Sequence, residues 1–421
     1  MSSGYLAGLE NRQPLSLRQT DPELWSLVAR ERQRQAATLS LVASESFALP
    51  SALRLQGSHL SQKLIEGYVG GDRRTGSEPA DAIERLAVAR ARALFGAEHA
   101  NVQAYSGSIA NLAALRALVR PGGRILAMHP TVGGHHTLGG SSHITGSLYE
   151  VHHAAVDRAT GVLDYDAISR QAVEVRPDVL AVGSSFYPRI IDFARLVDIA
   201  RSVEARLLAD IAHIAGLVVA GLHPNPATLA DIVTSSTHKT LTGPRGGGLI
   251  LSKQMYADAV DAAVFPFLQG APVLNVIAAR AALFKAVATD SFRELMRRVV
   301  RNARSLAAAL KERRIPVVSG GTDTHLLIID LKNTGLDSAE AQQRLERIGI
   351  TTGKVPLPEE THQTRGLRLG TVCITQRGMG SEEMDTLADT IAAALADSRA
   401  MHRLRGRVRD LARSFPPDVG Y

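Results

Sequence analysis

Residues 231–252 read DIVTSSTHKTLTGPRGGGLILS and carry the clearest information about the fold. An apolar run ends at His238 and Lys239, and a glycine-rich segment then leads into a second apolar run, GGLILS. We predict that both apolar runs are buried strands. Because lysine is rarely buried, its position at the end of a core strand requires a chemical reason.

Short apolar runs alternate with helical patterns on the N-terminal side of this stretch. RILAMH (124–129), DVLAVGSS (178–185) and ARLLAD (205–210) are predicted to be further buried strands. Residues 81–96 and 108–120 have the periodicity of helices. This alternation predicts an α/β domain with a mostly parallel sheet, in which ligands bind outside the carboxyl ends of the strands.

The domain organisation follows from the length of 421 residues, which is more than one simple core usually fills. Long helical patterns and the strand-like runs HLLIIDL and GLRLGT follow the first α/β region. We predict an N-terminal arm over residues 1–35, a large domain over residues 36–285 and a smaller α/β C-terminal domain over residues 286–421.

Composition argues against several classes of protein. The single cysteine, Cys373, cannot form an intrachain disulfide, which favours a cytoplasmic location. Neither a membrane-spanning run nor a secretory signal is visible in the sequence. The net charge of +7 leaves nucleic-acid binding open. We favour a solvated basic helix face, because Leu404, Val408 and Leu411 have helical spacing. We therefore expect no nucleic-acid, membrane or metal partner.

Several predicted strands end in chemically useful residues. ARLLAD ends at Asp210 and is followed by His213, DIVTSST precedes His238 and Lys239, and DVLAVGSS ends at Ser185. In a parallel sheet these ends share one edge. Pyridoxal 5′-phosphate needs a lysine for its Schiff base and a carboxylate facing its pyridine nitrogen. The sequence therefore predicts this cofactor.

A phosphate site is predicted in YSGSIAN, residues 105–111. Ser106, Gly107 and Ser108 stand where a helix begins, and free N–H groups together with the helix dipole attract an anion there. Taken singly, a surface lysine, a strand-end acid and a serine cap all have ordinary structural explanations. The combination of lysine, acid and phosphate site at element ends favours the cofactor.

The chain resembles the serine hydroxymethyltransferases, fold-type-I pyridoxal-phosphate enzymes with the aspartate aminotransferase fold, over about residues 20–395. The matching stretches are LVASESF, EGYVGG, NVQAYSGSIAN, GGHHTLGG, SSFYPRIID, ADIAHIAGLV, TSSTHKTLTGPRGG, FPFLQGAP and GLRLGT. The resemblance implies a homodimer or homotetramer with the active site at the subunit interface. It also implies aldol-type cleavage or formation of the Cα–Cβ bond of a β-hydroxy-α-amino acid.

The resemblance implies a role for each matching residue at the cofactor. Lys239 would form the Schiff base, Asp210 would pair with the pyridine nitrogen, His135 would stack on the ring, and His213 would bond near the ring hydroxyl. The other implied contacts of the cofactor are Ser106, Gly107, Ser108, Ser185 and, from the neighbouring subunit, Gly270.

Substrate contacts are implied in the same way. Arg368 and Ser44 would hold the amino-acid carboxylate, a task that suits the fork of an arginine. His238 would line the pocket beside the lysine. Glu66, contributed across the dimer, would handle protons at the substrate hydroxyl.

The sequence departs from the family pattern at substrate and folate positions. Leu64 replaces a tyrosine that helps bind phosphate across the dimer, and Arg73 and Arg74 replace a tyrosine pair near the substrate and the folate. TGKVP (352–356) lacks two asparagines that contact the pterin, and Pro130 replaces a leucine. The two arginines suit a phosphate or carboxylate on the partner substrate. Alternatively, they point to solvent or pair with acids.

These departures, together with the intact cofactor residues, predict a folate-independent aldolase or transaldolase with a non-standard aldehyde partner and doubtful use of tetrahydrofolate. The alternative is a tetrahydrofolate-dependent glycine/serine hydroxymethyltransferase. Two further alternatives are other pyridoxal-phosphate chemistry, namely transamination, decarboxylation or racemisation, and an inactive structural partner. The presence of Lys239, Asp210 and His135 argues against an inactive protein.

Overall fold

A computed structural model describes residues 16–71, 75–154, 156–157, 160–357 and 364–417. The strands are β1 (Leu39–Ser40), β2 (His99–Asn101), β3 (Arg124–Met128), β4 (Glu150–Ala154), β5 (Val179–Gly183), β6 (Arg206–Asp210), β7 (Ile232–Ser236), β8 (Gly248–Ser252), β9 (Leu326–Asp330), β10 (Ile350–Thr351), β11 (Gly353–Val355) and β12 (Gly366–Gly370).

The helices belong to both halves of the chain. They are α1 (Leu17–Thr20), α2 (Pro22–Ala37), α3 (Pro50–Gln56), α4 (Glu78–Phe95), α5 (Gly107–Leu118), α6 (Ile144–Leu148), α7 (Tyr165–Val175), α8 (Phe193–Ser202), α9 (Ala215–Val219), α10 (Ala257–Ala262), α11 (Leu274–Val287), α12 (Asp290–Glu312), α13 (Ser338–Arg347), α14 (Val372–Gln376), α15 (Ser381–Ala396) and α16 (Met401–Ser414). Among the helices of the described residues, none is both long and apolar enough to cross a bilayer.

The described residues form a central sheet of seven strands in the order β2-β8-β7-β6-β5-β3-β4. The pairs from β7 to β4 are parallel, whereas β8 runs antiparallel to both of its neighbours. The predicted α/β fold and its mostly parallel sheet are confirmed. Strands β2 and β4 were not predicted, because β2 has only three residues and β4 is only partly buried.

Helices cover the faces of this sheet and bury its apolar side chains, as expected for an α/β domain. Helix α11 is apolar around most of its circumference, because it packs between α3 and α4. Its one buried cation, Arg280, donates hydrogen bonds to the backbone carbonyls of Val102, Ala104 and Gly248. These bonds tie α11 to the segments that lead to the carboxyl edge of the sheet.

A second core surrounds the three-stranded antiparallel sheet β11-β12-β9, within the part of the chain that the structure describes. Leu39 and Leu41 pack in this core, and β1 pairs with β10 in parallel. Helix α12 bridges both cores, with Met296 in the first core and Leu310 in the second. The domain boundaries at residues 35/36 and 285/286 stay a prediction.

Candidate active site

A cavity of about 380 Å³ opens at the carboxyl ends of β5, β6 and β7. Gly183 of β5 pairs with Asp210 of β6, and Asp210 pairs with Thr234 of β7, so β5 and β6 end at the same level and β7 continues for two more residues. The predicted residues that line the cavity are Ser44, Ser106, Gly107, Ser108, His135, Ser185, Asp210, His213, His238, Lys239 and Arg368. The fold therefore gathers residues from distant parts of the chain at one edge.

Four further residues line the same cavity without having been predicted as site residues: Asn111, Ala212, Ser236 and Arg245. The sequence feature that could have identified Asn111 as a site residue is its position in YSGSIAN, one turn beyond the predicted phosphate site. A residue inside a helix is not marked by a strand end or a glycine, so sequence alone does not separate it from an ordinary core residue.

Lys239 lies in the turn that follows β7. Its backbone carbonyl accepts a hydrogen bond of 3.0 Å from the N–H of Thr242, which has a positive φ of 59°. Burial lowers the pKa of Lys239 to about 8, the nearby Asp210 opposes this shift, and Arg368 and Arg245 add to it. A lysine with a lowered pKa is more often a neutral amine near neutral pH, as a nucleophile must be.

The Asp210 carboxylate is held by two hydrogen bonds. One oxygen accepts from the backbone N–H of Ala212 at 2.9 Å, and the other accepts from the side-chain amide of Asn111 at 2.8 Å. These contacts fix the direction in which the carboxylate faces the cavity. A fixed carboxylate suits a protonated ring nitrogen.

Ser106 caps helix α5 and accepts a hydrogen bond of 3.2 Å from the N–H of Ile109. Gly107 follows in close contact with Ser236, where an added Cβ would lie 3.4 Å from the Ser236 Cβ. Ser106, Gly107 and Ser108 line the cavity where α5 begins, and the first N–H groups of a helix have no partner within the helix. This arrangement suits a phosphate group.

Two histidines of the cavity are kept neutral by their surroundings. Burial lowers the pKa of His135, against the opposing charge of Asp210. Burial also lowers the pKa of His213 well below its ordinary value, and Lys239 adds to this effect. His213 stacks on His325 with ring centroids 5.6 Å apart, which joins the large sheet to β9.

Arg368, on β12, donates one hydrogen bond of 2.6 Å to the backbone carbonyl of Ser185. Burial lowers its pKa to about 10. Its Nε is buried and has no hydrogen-bond partner within the described residues. The guanidinium therefore has donor capacity left for an anion in the cavity.

A family model for serine hydroxymethyltransferase matches residues 17–391. The chain is also 44% identical over 407 residues to a serine hydroxymethyltransferase from Myxococcus xanthus (strain DK1622), which covers 95% of this chain and 97% of that protein. The chain belongs to the serine hydroxymethyltransferase family. It is a fold-type-I, pyridoxal-phosphate-dependent transferase.

The cavity of this serine hydroxymethyltransferase homologue fits pyridoxal phosphate on its own geometry. It combines the amine of Lys239 with a fixed carboxylate and a helix N-terminus. Ser236 Oγ and His238 Nδ1 are buried without a hydrogen-bond partner in the described parts of the chain. Buried polar atoms are normally paired, so these atoms are free to meet a polar ligand.

Some residues implied by the resemblance lie outside this cavity. Glu66 and Gly270 do not line it in the single chain, and both are predicted to act across the subunit interface. Arg73 and Arg74 lie outside the described residues. The roles of these four residues stay predictions.

Membership of the serine hydroxymethyltransferase family changes the expectation for the acceptor. Enzymes of this family act on an amino acid with a one-carbon partner and are oligomeric, and they normally use tetrahydrofolate. The doubt about tetrahydrofolate is therefore not supported. The tetrahydrofolate-dependent alternative is better supported than the folate-independent aldolase.

Proposed function

We propose that this enzyme binds pyridoxal phosphate at Lys239 and interconverts serine and glycine, with tetrahydrofolate as the one-carbon carrier. The observation that carries the proposal is the single cavity that unites Lys239, Asp210 and Arg368. It occurs in a chain that is similar to a serine hydroxymethyltransferase along nearly its whole length.

The residues of the cavity divide the chemical work among them. The bound cofactor supplies an electron sink for the cleavage of the Cα–Cβ bond. Arg368 and Ser44 hold the substrate carboxylate and so orient its Cα substituents over the site. Asp210 would face the ring nitrogen and favour its protonated form, and the neutral amine of Lys239 would accept and return a proton at Cα.

The proposed assembly is a homodimer or homotetramer in which Glu66 and Gly270 reach the site of a neighbouring subunit. One observation supports it on this surface. Tyr105, next to the phosphate site, donates a hydrogen bond to the carbonyl of Ala271, and Phe267 in the same segment is 61% exposed. An exposed apolar segment beside an active site is suited to burial by a second copy.

A folate-independent aldol reaction is the second candidate. Gly353 and Val355 of β11 stand in the stretch where the family pattern has its asparagines. An added Cβ at Gly353 would lie 3.3 Å from a terminal nitrogen of Arg368, so β11 borders the carboxylate site without a side-chain amide at this point. Reduced affinity for a pterin would follow from the lost hydrogen bonds.

An amino-acid panel assayed with and without tetrahydrofolate separates the two functions. The first proposal expects glycine from serine only when tetrahydrofolate is present. The second candidate would be supported instead if acetaldehyde were released from threonine at least as fast as glycine is formed from serine, and if tetrahydrofolate did not change the reaction of serine. Lys239→Ala serves as the control for background reaction in both arms.

A further inference from the structure

Asn111 lies inside α5 and is 1% exposed, yet its side chain makes three hydrogen bonds. Its amide nitrogen lies 2.8 Å from an oxygen of Asp210 and 2.8 Å from the hydroxyl of Thr137. Its carbonyl oxygen accepts a hydrogen bond from the hydroxyl of Thr234. All polar atoms of this amide are therefore used, which is how a buried polar network becomes rigid.

The direction of each hydrogen bond in this network is fixed by chemistry. A carboxylate only accepts, so the NH₂ of Asn111 faces Asp210 and its second hydrogen points at Thr137. The Thr137 oxygen is then an acceptor toward Asn111, and its own hydrogen is free to point elsewhere. His135 Nδ1 lies 2.6 Å from the Thr137 oxygen, within hydrogen-bond reach of that hydrogen.

The tautomer of His135 follows from this contact together with a second one. Its Nδ1 also accepts a long hydrogen bond of 3.4 Å from the backbone N–H of Thr137. A nitrogen that accepts from two donors carries no proton, so the proton of the neutral ring resides on Nε2. The ring thus reaches the cavity with its protonation already decided by atoms behind it.

We propose that Asn111 and Thr137 are positioning residues that join Asp210 to His135, fix the carboxylate, and hold the imidazole as the neutral Nε2–H tautomer. This inference rests on the proposed function, because it concerns the two side chains that would flank the cofactor ring. A neutral His135 would provide a flat, uncharged surface for the ring and would not compete with a positive ring nitrogen for the charge of Asp210.

The charges around His135 agree with this assignment. Burial, as the largest factor, lowers the pKa of the imidazole, while Asp210 raises it. Lys239, His136 and His143 lower it further. Protonation of Nδ1 would additionally set two donors against each other, the ring N–H and the backbone N–H of Thr137.

The chain contains its own controls for this network. Three His-x-Thr turns share one local geometry, in which the imidazole Nδ1 caps the turn: His129 with Thr131, His135 with Thr137, and His143 with Thr145. Within the described residues, the structure connects only Thr137 to Asn111. Thr131→Val is therefore a matched control for Thr137→Val, because it removes the same kind of contact between a hydroxyl and an imidazole Nδ1 without touching the network.

The first experiment records nitrogen NMR spectra of the wild-type apoprotein labelled with ¹⁵N-histidine. The signals that are missing from the spectrum of the His135→Gln variant are assigned to His135. Nitrogen shifts near neutral pH are expected to show Nδ1 without a proton and Nε2 with one. A protonated ring, or a proton on Nδ1, overturns the inference without any positioning variant. Because this measurement needs no cofactor, it stays valid even if the protein fails to bind pyridoxal phosphate, an outcome that would refute the proposed function alone.

The second experiment measures the variants. Thr137→Val is expected to give a mixture of His135 tautomers and to weaken pyridoxal-phosphate binding about tenfold, the effect of one lost hydrogen bond at a buried site. Thr137→Ser keeps the hydroxyl and is expected to restore both readouts, and Thr131→Val is expected to leave both unchanged. A single Nε2–H tautomer in a folded Thr137→Val protein overturns the inference, as does equal loss of binding in Thr131→Val. If Thr137→Val does not fold, the inference is tested by the ¹⁵N shifts of the wild-type apoprotein and by Thr137→Ser, which is expected to keep the wild-type tautomer and cofactor affinity.

Discussion

Gly183→Ala tests how strictly the sheet positions Asp210. Gly183 ends β5 and pairs with Asp210, and an added Cβ would lie only 2.5 Å from the Asp210 Cβ and 2.6 Å from its backbone oxygen. Non-bonded carbon atoms prefer separations of about 3.5–4.0 Å. The two strand ends would therefore have to move apart by about 1 Å.

A movement of this size breaks the contacts that orient the carboxylate. The bond that Asn111, on helix α5, donates to Asp210 measures 2.8 Å, so an added 1 Å takes it well beyond the normal limit of about 3.2 Å. Overpacking of this kind usually costs about 1–3 kcal/mol of unfolding free energy. Misplacement of a reacting group by about 1 Å lowers turnover by about a hundredfold.

The assay has three parts: titration of the apoprotein with pyridoxal phosphate by visible absorbance, urea unfolding, and turnover of serine. Gly183→Ala is expected to bind the cofactor more weakly, to unfold at lower urea, and to lose most of its turnover. Gly406→Ala is the matched control, because this residue lies within α16 and an added Cβ meets no atom within 4 Å. For Gly406→Ala, the free energy of unfolding is expected to rise by about 0.5–1 kcal/mol.

A Gly183→Ala protein with the cofactor affinity and unfolding midpoint of the wild type would contradict this prediction. It would mean that the β5–β6 edge adjusts freely and does not determine the position of the carboxylate. Equal losses in Gly183→Ala and Gly406→Ala would contradict it as well, because they would show a general effect of adding a methyl group.

Four further predictions concern the charged residues of the site. Lys239→Ala is expected to abolish turnover while leaving the urea midpoint within the range of neutral substitutions, and retained turnover would exclude Lys239 as the cofactor lysine. The rate at which the apoprotein captures pyridoxal phosphate is expected to rise with pH around the lowered Lys239 pKa of about 8, rather than around 10.5; a midpoint near 10.5 by stopped-flow absorbance would contradict the burial of this amine. Because the folded pKa lies below the ordinary value, the wild-type apoprotein should also gain stability relative to Lys239→Met as pH rises from about 8 to 10.5, and a flat difference in urea unfolding would oppose this. Arg368→Lys loses the fork that bonds a carboxylate and is expected to lower kcat/KM for serine by about 10- to 100-fold with little change in cofactor affinity, so a loss in cofactor binding alone would assign Arg368 to the cofactor instead.

For the one-carbon acceptor, local sequence evidence favoured the function that the comparison with known proteins supports less well. Arg73, Arg74, Pro130 and the stretch 352–356 differ from the family pattern at substrate and folate positions, and they favoured a folate-independent reaction. The similarity of the whole chain favours the tetrahydrofolate-dependent alternative. Single contacts to a ligand contribute modest free energies, so several substitutions weaken binding without deciding which reaction is catalysed.

Most strands, the cofactor and most of the candidate site are specified by local patterns in the amino-acid sequence. Buried parallel strands are continuous apolar runs, and Asp210 and Lys239 mark the ends of two of them. Parallel pairing then places those ends at one edge, whatever the details of packing. For this reason a lysine and an acid at strand ends, together with a phosphate site at the start of a helix, indicate a cofactor site from their sequence positions.

Long-range packing, in contrast, selects the side chains that meet behind that edge. The contact of Asn111 with Asp210, Thr137 and Thr234 depends on the rotation of α5 about its axis and on the register of β6 against β7. The packing of Leu39 in the second core depends likewise on the pairing of β1 with β10, a distant part of the chain. A pattern of apolar residues specifies which face of an element is buried, but the partner that this face meets is set by the tertiary fold.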